Sequence, residues 1–249
     1  MTDDTYAEAL ELVRAAQREH TTLKLVGGLA VRALCPSFPP RTHDRQDLDL
    51  ASTSDERAAV TAFLAGRGFQ PDERFNQIHG HKQLYFRSPA GRSVDVLIDR
   101  LEMCHALDFS DRLDRMPLTL DVTDLLLTKL QIVELNDKDA ADAIQLLAAY
   151  PVRAGDEPGT VGLARFGQIV GDDWGWWRTV TGTLDRIRSL ATADGASLVP
   201  PGAPFDPVEQ LDALRAEAER VPKSRRWRLR SLIGERVRWY ELPEEELHD

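Results

Sequence analysis

The stretch GGLAVRALCPSFPPRTHDRQDLDLAS, residues 27–52, decides how this chain is read. It opens with two adjacent glycines behind the short apolar run LKLV and closes on an alternating Asp-Leu-Asp-Leu pattern. The apolar run predicts a strand that ends in a glycine turn, LAVRAL a short helix behind it, and PSFPPRTHDR a proline-rich loop leading into a second strand, QDLDLA. Alternate side chains of a strand share a face, so Asp47 and Asp49 project together while Leu48 and Leu50 turn to the other side. Two carboxylates then lie within reach of one cation.

Outward from this stretch, residues 4–20 carry Leu10, Val13 and Ala16 at helical spacing. SDERAAVTAFLAGRG predicts a helix with Ser54 as its N-cap. KQLYFRS and SVDVLID predict two strands around PAGR, which has hairpin chemistry. In the second of these, Val94, Val96 and Ile98 make an apolar face and Asp95 points the other way, with Asp99 further along. After about residue 120 the pattern changes: VTDLLLTKLQIVE and DKDAADAIQLLAAY predict consecutive helices, more helices follow, and no strand pattern is evident. The expectation is an α+β fold, with a mixed sheet and flanking helices in an α/β domain over residues 1–120 and a helical domain over 121–249.

Composition narrows the function classes. A chain of 249 residues that is 42% hydrophobic can bury a sizeable core. Its net charge of -10 argues against coating nucleic acid or anionic membrane through a global field, so any polyanion site has to be local. The two cysteines, Cys35 and Cys104, have no metal-ligand spacing and do not make a disulfide framework. The acidic amino terminus and the lack of an apolar run near the ~20 residues of a membrane helix point to a cytoplasmic protein with no membrane partner.

Asp-x-Asp alone is more often a solvated strand face than a ligand set, and a glycine pair alone is more often a tight turn. In combination they are more specific. Backbone N–H groups at a strand-to-helix turn form an anion site that glycine lets a phosphate approach closely. If the strand bearing Asp95 neighbours the one bearing Asp47 and Asp49, three carboxylates share a corner suited to a divalent cation that also binds phosphates. Those are the parts needed to hold a nucleoside triphosphate with Mg²⁺ or Mn²⁺.

VGGLAVR, R-x-DLDL and the later VDVL resemble the nucleotidyltransferases of the DNA polymerase β-like superfamily, and within it the AbiEii-type branch, which includes toxins of toxin–antitoxin systems. The resemblance spans residues 22–147 and extends to a helix lysine, Lys129 in LLLTKLQ, and to a K-D-x-x-D element, Lys138, Asp139 and Asp142 in NDKDAADA. It implies that residues 1–120 are the catalytic domain, that Gly27 and Gly28 hold the triphosphate, that Asp47 and Asp49 ligate metal, and that Asp95 completes the metal site or acts as base. It further implies that Lys129 contacts phosphate or nucleobase, that Asp139 orients Lys129 or the acceptor, and that Arg32 and Arg45 contact phosphate. The implied reaction moves a nucleoside monophosphate from the triphosphate to a hydroxyl, most readily of RNA or tRNA, with an antitoxin as protein partner. The loop between the glycines and the aspartates is longer than in compact members, and Asn136 stands where an arginine often precedes Lys-Asp.

Other readings compete. A non-catalytic nucleotide- or partner-binding module could share the fold, transfer to a small-molecule acceptor of antibiotic type is a variant of the reaction, and a two-metal nuclease fits the carboxylates but leaves the glycine turn unexplained. KSRRWRLRSLIGERVRW, residues 223–239, suits RNA phosphates and bases, although such a helix is more often packed with a charged outer face. Trp174, Trp176 and Trp177 read as core of the helical half. His79 and His81 read as loop histidines, since nothing beside them completes a metal set.

Overall fold

The structure, a computed structural model, describes residues 4–38, 47–193 and 199–241. Arg45, with Arg41 and His43, lies outside the described residues. The chain divides into two compact units, the first of Met1–Pro36, Pro40–Leu101 and Asp108–Asp121, the second of Ser37–Pro39, Glu102–Leu107 and Val122–Asp249.

The first unit is built on a mixed five-stranded sheet. Its strands β1 (Lys24–Leu25), β2 (Leu48–Ser52), β3 (Gln70–Pro71), β4 (Gln83–Arg87) and β5 (Ser93–Ile98) lie in the order β1-β2-β5-β4-β3. The β2–β5 pair is parallel and every other pair antiparallel. A parallel pair needs a crossover rather than a hairpin. Here the crossover carries helix α3 (Arg57–Ala65), β3, helix α4 (Glu73–His79) and β4 before the chain returns as β5. Helices α1 (Asp4–Arg18) and α2 (Gly27–Leu34) flank the sheet on either side of β1 in the sequence. Leu48, Leu50, Val94, Val96 and Ile98 are all at most 1% exposed, as the apolar faces of the two strands predict. The hairpin over PAGR is present, with Gly91 at φ +80°.

Several local expectations are corrected. The first strand is only two residues long, because α2 begins at Gly27 itself and includes both glycines. It is fixed on its outer side too: Leu25 donates to the Leu118 carbonyl at 2.8 Å and accepts from the Leu120 N–H at 3.0 Å. Ser54 does not cap α3, which starts three residues later; its N–H donates instead to the Asp99 carboxylate at 2.9 Å, a tertiary contact invisible in the local pattern. The segment around His79 is the helix α4, capped by Asp72, whose carboxylate accepts from the Phe75 N–H at 2.8 Å. A two-stranded ribbon, β6 (Arg100–Glu102) and β7 (Ala106–Asp108), also follows β5.

The second unit is helical. Helices α5 (Val122–Leu130), α6 (Asp137–Ala149), α7 (Leu163–Asp172), α8 (Trp174–Ala193) and α9 (Pro207–Arg220) pack around Leu126, Ile144, Phe166, Val180, Leu184 and Leu214, all at most 1% exposed. One short parallel ladder, β8 (Val152–Arg153) with β9 (Val161–Gly162), appears where no strand was expected. Trp174 and Trp176 are buried in this unit, as the sequence suggests. The helix α10 (Arg225–Ile233) buries none of its residues. Both cysteines are buried, and neither is in a disulfide. Among the described residues no helix is long and apolar enough to cross a membrane.

Candidate active site

In the first unit the glycine turn and Asp49 meet at one corner of the sheet, with Asp95 in register beside Asp49. Gly27 takes φ +62°, a left-handed conformation that costs an L-residue with a β-carbon free energy. Val26 ahead of it is extended and offers α2 no side-chain cap, and its N–H donates to the Asp49 carbonyl at 2.9 Å. The Asp49 carboxylate lies directly over the turn: a β-carbon on Gly27 would fall 2.4 Å from Asp49 Oδ2. Glycine is thus required twice at this position, once by the backbone and once by the space the carboxylate occupies.

Asp49 and Asp95 are register partners across the parallel β2–β5 pair, and both are half-buried. Side chains directly opposite each other on neighbouring strands point to the same face, so the two carboxylates share the corner. Gln83 of β4 donates from Nε2 to Asp95 Oδ1 at 2.6 Å, which sets the rotation of that carboxylate. Asp47 is exposed and immediately precedes β2. Among the described residues no group of three or more His, Cys, Asp or Glu side chains is arranged to hold a metal ion. Two carboxylates are nonetheless a suitable protein share for Mg²⁺, which keeps several waters and is usually bound by one or two carboxylates together with substrate phosphates. Gly28 is the second residue of α2, and the Arg32 guanidinium stacks over the Tyr6 ring of α1, 4.3 Å from its centroid.

The second unit gathers the remaining predicted residues. Every residue of α5 is buried, including Lys129, which is 6% exposed. Its Nζ lies 2.7 Å from Asp139 Oδ1 and 3.0 Å from Asp142 Oδ2. Asn136 caps α6, accepting from the Asp139 N–H at 2.9 Å, while its Nδ2 donates to Asp139 Oδ2 at 2.8 Å. The residue that departs from the usual arginine is therefore the one that positions Asp139. This is a buried charge cluster with its hydrogen bonds made, rather than a set of helix-surface charges.

No family model matches the chain, and no curated protein matches it. Solved structures that the chain is similar to at a low level include the following two. One is the solution structure of the antibiotic-resistance factor ANT(2'')-Ia, at 13% identity and a TM-score of 0.40, covering 58% of this chain and 84% of that one. The other is an antigenic nucleotidyltransferase-like protein from Paracoccidioides brasiliensis, also at 13% identity and a TM-score of 0.40, covering 81% of this chain and 97% of that one.

Sequence reasoning did not single out Gln83. The signal was present, because the PAGR hairpin register puts Tyr85 opposite Asp95 and leaves Gln83 on the diagonal of the same face. His79 sits in the last turn of α4 with its ring 4.7 Å from that of Phe75, so its surroundings are those of a packed helix end.

Proposed function

We propose that this chain is a nucleotidyltransferase of AbiEii type, moving a nucleoside monophosphate from a nucleoside triphosphate to a hydroxyl of RNA with the help of Mg²⁺ or Mn²⁺. The observation that carries the reading is the corner itself: a left-handed glycine at the start of a helix, a carboxylate lying where its side chain would be, and a second carboxylate in register beside it. The first N–H groups of a helix have no intrahelical acceptor, and the helix dipole favours an anion there. Gly27 and Gly28 at the start of α2 would accordingly take the triphosphate. Asp49 and Asp95 would hold the metal ion, oxygen ligands that suit a hard cation, and Asp47, exposed just ahead of β2, is the further carboxylate that the motif resemblance supplies. When bound, the ion stabilises charge developing on the phosphate oxygens and eases loss of the acceptor proton.

In the proposed step the acceptor oxygen forms a bond to the α-phosphorus as the bond to the pyrophosphate oxygen breaks. The acceptor proton passes to Asp95, which Gln83 holds in one orientation, and pyrophosphate leaves. The motif resemblance gives Lys129 a nucleotide-contacting role and Asp139 an orienting one; within the second unit the ion pairs to Asp139 and Asp142 hold Lys129 in a single direction. A toxin role with a cognate antitoxin belongs to the same resemblance. The test is to incubate the protein with each α-labelled triphosphate, Mg²⁺ and total RNA. Label is expected in RNA and is expected to vanish in Asp49→Ala; transfer that survives this substitution would exclude the corner as the active site.

A further inference from the structure

Gly182 lies in the middle of α8, where glycine costs about 1 kcal/mol relative to alanine. A β-carbon there would come 3.2 Å from Arg178 Nη1 and would enter a cavity of about 230 Å³. Arg178, Gly182 and Arg186 follow one another at four-residue spacing along a single helix face, and all three line this cavity together with Thr179, Thr183 and Trp239. The hydroxyls are committed to the protein. Thr183 donates to the Ile132 carbonyl at 3.1 Å, and Thr179 Oγ1 accepts from Trp239 Nε1 at 3.0 Å and shares a 2.8 Å hydrogen bond with His105 Nε2. The bond donated by Trp239 Nε1 fixes one edge of its ring. The arginines are committed less: Arg178 pairs through Nε with the exposed Glu235, an ion pair of the weak surface kind, and its guanidinium stands 5.7 Å from the centroid of the Trp239 ring, a contact that a bound phosphate and base would share, while Arg186 is exposed with no side-chain partner among the described residues. In a chain of net charge -10, two arginines about 12 Å apart along a helix beside an immobilised indole are a local exception to the overall field.

We infer that this groove of the second unit binds a nucleotide unit, its phosphate held by Arg178 and Arg186 over the bare backbone of Gly182 and its ring placed against Trp239. Guanidinium groups match phosphate oxygens in pairs, and aromatic rings hold nucleobases without regard to sequence. The cavity is smaller than a typical drug-sized pocket, so one unit enters and the remainder of a longer ligand extends outside. The same chemistry is offered by a free mononucleotide and by the end of a single-stranded polynucleotide. The site is separate from the proposed transfer chemistry and does not rest on it.

The experiment is fluorescence anisotropy on the intact chain in EDTA, with a labelled mononucleotide and a labelled single-stranded oligoribonucleotide. At least one probe is expected to bind, with affinity reduced about tenfold or more by Arg186→Glu and by Gly182→Met, and unchanged by Asp49→Ala. Binding of the mononucleotide identifies a free-nucleotide site; binding of the oligonucleotide alone identifies a strand-end site. Methionine is a better helix former than glycine, so Gly182→Met is expected to melt no lower than the parent, which separates loss of the site from loss of the fold. The inference is overturned if neither probe binds, or if both groove variants bind as the parent does.

Discussion

Replacing Gly27 by alanine probes the corner of the sheet at its most constrained point. Two costs combine. A left-handed conformation costs an alanine about 1–2 kcal/mol, reduced by about 0.4–1 kcal/mol because alanine is also more restricted when unfolded. The new β-carbon would lie 2.4 Å from Asp49 Oδ2, so that carboxylate must swing away from the turn. The net stability loss is about 1–2 kcal/mol, or a fall of about 4–16 °C in the melting temperature of the first unit. The effect on the site is larger in kind, because Asp49 can no longer face Asp95 across the register that places them together. Mg²⁺-dependent triphosphate binding, followed by isothermal titration, is expected to weaken about tenfold or more, the loss of one charge-assisted contact. Gly28→Ala is the internal control. Gly28 is helical without a positive φ, so alanine there is expected to leave the unliganded fold as stable or slightly more so. A Gly27→Ala protein that melts and binds Mg-triphosphate like the parent would refute the reasoning.

Two further outcomes follow from buried charges. Lys129→Met removes the cation between Asp139 and Asp142 and leaves two carboxylates without it, so denaturant unfolding is expected to show a loss of about 3–5 kcal/mol; adding Asp142→Asn to that variant is expected to recover part of it. Burial pushes His105 down to about 4, against a weaker opposing influence from Asp173, with its ring 5.1 Å from that of Trp176. The folded state therefore binds its proton less readily than the unfolded chain. The stability this contributes is complete above about pH 6.5, falls as pH drops toward 4, and amounts to about 3 kcal/mol at most. His105→Gln is expected to flatten that part of the stability-against-pH curve, and an unchanged slope would show that the imidazole is not the group responsible.

What the sequence disclosed is uneven for physical reasons. Strand parity placed Asp49 and Asp95 correctly because the period of two is rigid and Leu48, Leu50, Val94 and Val96 leave only one way to face the core. Whether the two strands were neighbours was not legible, since the pairing bridges an entire crossover and no local signal encodes it. The short helix α4 buries no residue and so carries no apolar period that would distinguish it from a loop; Asp72 alone marks its start. A lysine on a helix is usually solvated, yet Lys129 is buried. A helix that is apolar nearly all round is buried, and LLLTKL held that signal; the partners that make a buried lysine tolerable came from a different helix. The groove on α8 gave only one hint in sequence, a glycine inside a long helix.

In the proposed reaction the α-phosphorus is attacked and pyrophosphate leaves. This step is tested most directly by running the reaction with α-labelled and γ-labelled triphosphate in parallel, in Mg²⁺, with total RNA, and following where each label goes. The α-label is expected to become attached to RNA and the γ-label to be released as pyrophosphate, and Asp49→Ala and Asp95→Ala are expected to stop both. Transfer of γ-label to the acceptor, release of label without any attachment, or attachment that persists in both variants would contradict this step.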